Sequence, residues 1–120
     1  MSERNHQSPV RFLLIPVLGD IKEERFTVAR ATVVPRAKLL EHVRTFFDEP
    51  IERVNVLYGH EYRDMFVGET SSINGRHIRN VRATDIYRNN ALSNGWEASE
   101  SNLPYICGPA VLFPDYQVWK

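Results

Sequence analysis

The chain predicts an α+β domain: a mainly antiparallel sheet of about five to six strands, with one long helix and one short one. Three observations carry this expectation. Two pairs of short runs rich in β-branched and aromatic residues are each split by a turn signal, Gly19-Asp20 in the first pair and Gly59-His60-Glu61 in the second. Between the pairs, Leu39, Leu40, Val43, Phe46 and Phe47 recur at helical spacing and make one broad apolar stripe. The length, 120 residues, suits a single core that needs neither disulfide nor metal.

Each element has its own local reason. Residues 1–9 are polar, close on Pro9 and read as a disordered tail ahead of one domain over residues 10–120. Residues 10–18 read as the first strand, with Pro16 demoting its end to an edge or a bulge. Lys22-Glu23-Glu24-Arg25 reads as a solvated connection and residues 26–34 as the second strand, which together predict an antiparallel hairpin. Pro35 suits a first helical turn, where a missing N–H costs nothing. The long helix is expected over residues 37–48, covering one face of the sheet and ending at Glu49-Pro50. Residues 51–58 alternate, with Val54, Val56 and Tyr58 on one face, and residues 62–67 form the returning strand. Residues 68–75 are rich in Ser, Thr, Asn and Gly and read as a loop. Asn80 is the expected N-cap of the short helix, residues 81–92, which Ser93-Asn94-Gly95 stops. Residues 110–113 read as a short strand and residues 117–120 as a final edge strand. Exposed edges at the Val10 strand and at residues 117–120 would leave a homodimer open.

Bulk chemistry narrows the function classes. Fifteen basic and fifteen acidic residues give no net charge, which weighs against nucleic acid as the main partner. Cys107 is the single cysteine, so no intrachain disulfide forms and a reducing compartment is favoured. The first nine residues hold no apolar run of the signal-peptide kind. The longest apolar run, residues 12–18, is far shorter than the ~20 residues a bilayer span needs. The expectation is a cytoplasmic protein without membrane contact.

Catalytic and metal signatures are weak. His60-Glu61 begins like the His-Glu-x-x-His zinc motif, but the fifth position is Asp64 and the segment sits at a turn. The four histidines show no ligand spacing, so neither metal nor cofactor is expected. Cys107 reads as a buried, inert thiol. Gly68-Glu69-Thr70-Ser71-Ser72 has neither the glycines and lysine of a phosphate loop nor the flanks of a nucleophile elbow.

The defensible site is an arginine run. Arg76, His77, Arg79, Arg82 and Arg88 fall close together in sequence and are opposed only by Asp85. Guanidinium groups grip phosphate or carboxylate through two parallel bonds. Asn80 and the N–H groups at the start of the following helix would add an anion site, and Tyr87, Trp96 and Tyr105 would offer stacking surfaces. The competing reading is a solvated helix face, because Asp85 lies three residues from both Arg82 and Arg88.

Three segments carry a family resemblance: Asp64-Met65-Phe66-Val67-Gly68-Glu69, Asn80-Val81-Arg82-Ala83-Thr84-Asp85-Ile86-Tyr87, and Ile106-Cys107-Gly108-Pro109-Ala110-Val111-Leu112-Phe113. With these the C-terminal half resembles an uncharacterised family of small domains encoded mainly by phages and plasmids. The shared pattern is an acidic residue after a strand, an Asn-x-x-Ala-Thr helix start and a closing Gly-x-Ala/Val-x-Leu strand. Residues 70–74 form a longer insert here. The resemblance brings no activity, cofactor or catalytic residue. It implies an accessory protein of a mobile element, and it points to Glu69, Asn80 and Arg82 as shared surface.

The leading expectation is therefore a non-enzymatic phage or plasmid accessory protein that binds a host protein or a phosphate-bearing anionic ligand, in a counter-defence or regulatory role. The alternative is a small enzyme on a phosphate-bearing substrate, with Glu69 or Asp85 as acid or base and Arg76, Arg79 and Arg82 holding the anion. A nucleic-acid binder using the same arginines is a third, disfavoured by the neutral charge.

Overall fold

The computed structural model describes residues 9–28, 34–69, 78–93, 105–117 and 119. It is an α+β domain whose five-stranded sheet is antiparallel at every pairing. The strands are β1 (Val10–Ile15), β2 (Lys22–Phe26), β3 (Ile51–Tyr58), β4 (Glu61–Gly68) and β5 (Ala110–Leu112). The helices among the described residues are α1 (Arg36–Arg44) and α2 (Val81–Ser93). The sheet order is β2-β1-β5-β4-β3. The last strand in sequence thus inserts between the two hairpins, and its three residues are all buried.

The first hairpin differs from the expected one. β1 stops at Ile15, just before Pro16, whose ring removes a ladder donor. Its partner is not residues 26–34 but Lys22–Phe26, the stretch expected to be a solvated connection, in a register running from Val10 opposite Phe26 to Leu14 opposite Lys22. β2 shows no apolar alternation because it is an edge strand held by pairing and charge. Glu23 meets Arg11 at 3.5 Å and Arg25 at 2.9 Å. The half-buried Phe26 anchors its end by stacking on His42 of α1, with ring centroids 4.4 Å apart. Residues 29–33 of the expected strand lie outside the described residues, as does the 1–8 part of the expected tail. The sheet edges are β2 and β3, so the Val10 strand is interior. Gln117 and Trp119 belong to no strand.

The helix lengths are reversed. The expected long helix, α1, has nine residues, while α2 has 13. α1 tightens at its end: Phe46 and Phe47 donate their N–H groups to the Val43 and Arg44 carbonyls, and Thr45 Oγ1 bonds the His42 carbonyl. Phe46 and Phe47 still pack on the core from this turn. Pro35 sits one place outside the first turn, at the N-cap with φ −60° and ψ 135°, where its carbonyl accepts the Leu39 N–H.

The helices cover opposite faces of the sheet, where one covered face was expected. Strand alternation sends Phe12, Phe66, Val111 and Phe113 to the α1 side, against Leu39 and Val43. It sends Ile15, Val56, Met65, Val67, Ala110 and Leu112 to the α2 side, against Ala83 and Ile106. No helix among the described residues is long and apolar enough to cross a membrane.

β3 and β4 meet at a two-residue turn, closed by Tyr58 opposite Glu61. Gly59 has φ 59° and His60 has φ 72°. Both central positions are left-handed, as the twist of a hairpin favours. Glycine adopts that region freely, but histidine is strained there by its Cβ. We expect His60→Gly to stabilise the protein by about 0.5 kcal/mol and His60→Val to destabilise it by about 1 kcal/mol or more. Urea midpoints moving in the same direction for both variants would contradict this turn geometry.

Candidate functional site

Among the described residues, the arginines of the predicted surface make separate contacts within the fold. Arg76 and His77 lie outside the described residues, as does Trp96. Asn80, expected to face a ligand, is instead completely buried. Its Nδ2 donates to the Ile15 and Gly108 carbonyls, each at 2.9 Å, and its Oδ1 accepts the Ala83 N–H at 3.1 Å. It is an N-cap, as expected, but the cap takes up the Ala83 donor that an anion would have used. Arg82 turns to the end of β1 and donates to the Pro16 carbonyl at 2.7 Å. Arg79 stacks its guanidinium 4.0 Å from the centre of the Tyr105 ring. Arg88 is half-buried on α2.

The chain around these residues is tied down locally. The Asn80 N–H reaches the Ile106 carbonyl at 2.7 Å, and the Gly108 N–H reaches the Ile78 carbonyl at 2.9 Å. Thr84 Oγ1 accepts the Ile106 N–H at 2.9 Å and donates to its carbonyl at 3.3 Å. Cys107 is buried in this seam, paired in a β-bridge with Arg79. Burial raises its thiol pKa, and the Arg79 charge offsets only part of that, so the thiol stays protonated at neutral pH.

Two of the predicted site residues do meet, in a cavity of about 190 Å³ between α2 and the β3–β4 end of the sheet. Glu69 follows β4 and is held there by its N–H, which donates to the Pro50 carbonyl at 2.8 Å. Tyr87 comes from α2, and Tyr105 and Ile106 come from the seam. Val54 and Val67 form the sheet wall. The remaining charged lining residue is Glu52, so the charge lining this cavity is negative. Asp85 is exposed on α2 and does not line it.

A second cavity, about 260 Å³, lies on the opposite face between α1 and the sheet. Leu40, Ile51, Phe66 and Trp119 give it apolar walls, and Arg44 and Arg53 bring the charge. Among the described residues neither arginine forms an ion pair. Trp119 is fixed as a wall by its indole N–H, which donates to Asp64 at 2.6 Å, and by edge contacts with Phe66 and Phe113. The Arg36 guanidinium lies 6.0 Å from the Trp119 ring centre and bonds Gln117. Sequence reasoning missed this cleft. The available signal was Arg53, which interrupts the apolar residues of β3 on the side that α1 covers.

β3 therefore lines both cavities. Ile51 and Arg53 point to one face, Glu52 and Val54 to the other. No group of three or more His, Cys, Asp or Glu among the described residues is arranged to hold a metal. No family model, curated protein or solved structure matches the chain.

Proposed function

We propose that the chain is a non-enzymatic binding protein, of the accessory kind the resemblance implies. Its ligand is a small anion with an apolar body, held in the α1 cleft. One observation carries this reading: two guanidinium groups without ion-pair partners among the described residues stand beside a cavity walled by Leu40, Ile51, Phe66 and Trp119. An apolar body gains by leaving water against those side chains, at about 25 cal/mol per Å² buried. A carboxylate or phosphate head gains charge-assisted bonds from Arg44 and Arg53. The enzymatic reading is less favoured, because Glu69 shares its cavity with Glu52 rather than with arginines, and Asp85 stands outside both cavities.

The test compares octanoate, octyl phosphate and octanol by NMR, following the Trp119 indole N–H, which Trp119→Phe assigns. Saturable shifts are expected with both anions and much weaker ones with the alcohol. Arg53→Gln or Arg44→Gln should weaken octanoate binding about tenfold, or about 1.4 kcal/mol. Equal responses to octanol and octanoate, or affinities untouched by both substitutions, would remove the proposal.

A further inference from the structure

We propose that the α2 cleft is a separate site for a small organic cation, an alkylammonium or guanidinium head group. This rests on different residues from the α1 cleft and does not depend on the anion reading. Glu52 reaches the cavity from β3 and Glu69 from the end of β4, and among the described residues neither is in an ion pair. Tyr87 and Tyr105 add two aromatic rings, and Val54, Val67 and Ile106 add apolar wall. Carboxylates beside aromatic faces favour a cation that carries apolar surface, because the ring quadrupole and the charges attract it together.

The structure already holds an internal counterpart of such a ligand. The Arg79 guanidinium lies 4.0 Å from the Tyr105 ring centre, so this ring accepts a cation in the folded protein. Arg79 itself is not among the described residues that line the cavity, whose two carboxylates remain for a ligand. An anion would meet Glu52 and Glu69 and be repelled. The volume, about 190 Å³, suits a head group rather than a nucleotide. Cavity, rings and charge together define the class, and the carboxylates alone would not.

The probe is tetramethylammonium, titrated into the full chain while the ring resonances of Tyr87 and Tyr105 are followed by NMR. tert-Butanol serves as the neutral match and acetate as the anion. Saturable shifts are expected at both rings with tetramethylammonium only, the Trp119 indole should stay still, and the affinity should fall as salt rises. Glu69→Gln and Glu52→Gln should each weaken binding about threefold to tenfold. Both side chains are exposed, so the far-UV dichroism should not change. Tyr105→Leu should also weaken binding. Still tyrosines, equal shifts with tert-butanol, or unchanged affinity in both glutamine variants would each overturn the site. Failure of octanoate at Trp119 would leave this result intact, so the two clefts are judged separately.

Discussion

Replacing Asn80 by alanine should destabilise the protein by about 3–5 kcal/mol, a large share of the 5–15 kcal/mol typical of a folded domain. The side chain makes three hydrogen bonds and is completely buried. Alanine leaves the Ile15 and Gly108 carbonyls and the Ala83 N–H buried and unmatched, at about 1–3 kcal/mol for each orphaned group. The loss of an N-cap alone would cost about 1 kcal/mol. Serine separates the two accounts, because its hydroxyl can cap α2 but cannot span to both carbonyls. Urea unfolding should find Asn80→Ser nearly as damaging as Asn80→Ala. A serine variant close to wild type would show that Asn80 acts only as a cap, and an alanine loss near 1 kcal/mol would show the same.

Phe113→Ala should cost a similar amount, about 3–5 kcal/mol. The ring is fully buried just after β5, and its neighbours are aromatic: Phe12 at 5.8 Å, Phe66 at 6.0 Å and Trp119 at 5.2 Å between centroids. Alanine removes the shared partner of all three and leaves a cavity under the middle of the sheet. Phe113→Leu keeps most of the volume and should cost about 1–1.5 kcal/mol. Trp119 leans on the same ring, so the alanine variant should also move the Trp119 indole resonance. Denaturant unfolding that put the alanine loss below about 2 kcal/mol would mean that this face of the core repacks freely.

The most legible parts of the chain were those where local chemistry and tertiary packing agree. The bounds of β3 follow from alternation over Ile51–Tyr58, and the start of α2 follows from the capping preference of Asn80. The stripe on α1 named its buried residues correctly, Leu39 and Val43 above all. β2 was unreadable because its sequence is almost wholly charged. Its strand state comes from the β1 ladder, one cross-strand ion pair (Arg11–Glu23) and one within the strand (Arg25–Glu23), which leave no apolar period behind. The reversed helix lengths come from an α1 end that tightens into a turn while Phe46 and Phe47 keep their core contacts.

The candidate site was legible only in fragments. Glu69 and Tyr87 were named, and the fold does bring them into one cavity. Nothing local shows that their charged companion there is Glu52 rather than an arginine. Glu52 and Arg53 are neighbours in sequence yet belong to opposite clefts, because the strand period of two separates them. Asn80 was read correctly as a cap and wrongly as surface. Its amide donors turn to the Ile15 and Gly108 carbonyls, partners 65 and 28 residues away that no local window contains.

The central place of β5 also sets an order of events during synthesis. The β1–β2 and β3–β4 hairpins emerge from the ribosome first, each with an inner edge whose backbone groups have no mate. Those edges wait for Ala110–Leu112, which contribute only three residues to each ladder. Until then the nascent chain carries two open strand templates and an unclosed core, the situation in which chains pair with one another. Ribosome stalling before residue 110 would therefore do more harm than its short missing sequence suggests, and the rate of folding should follow the arrival of the C-terminal segment.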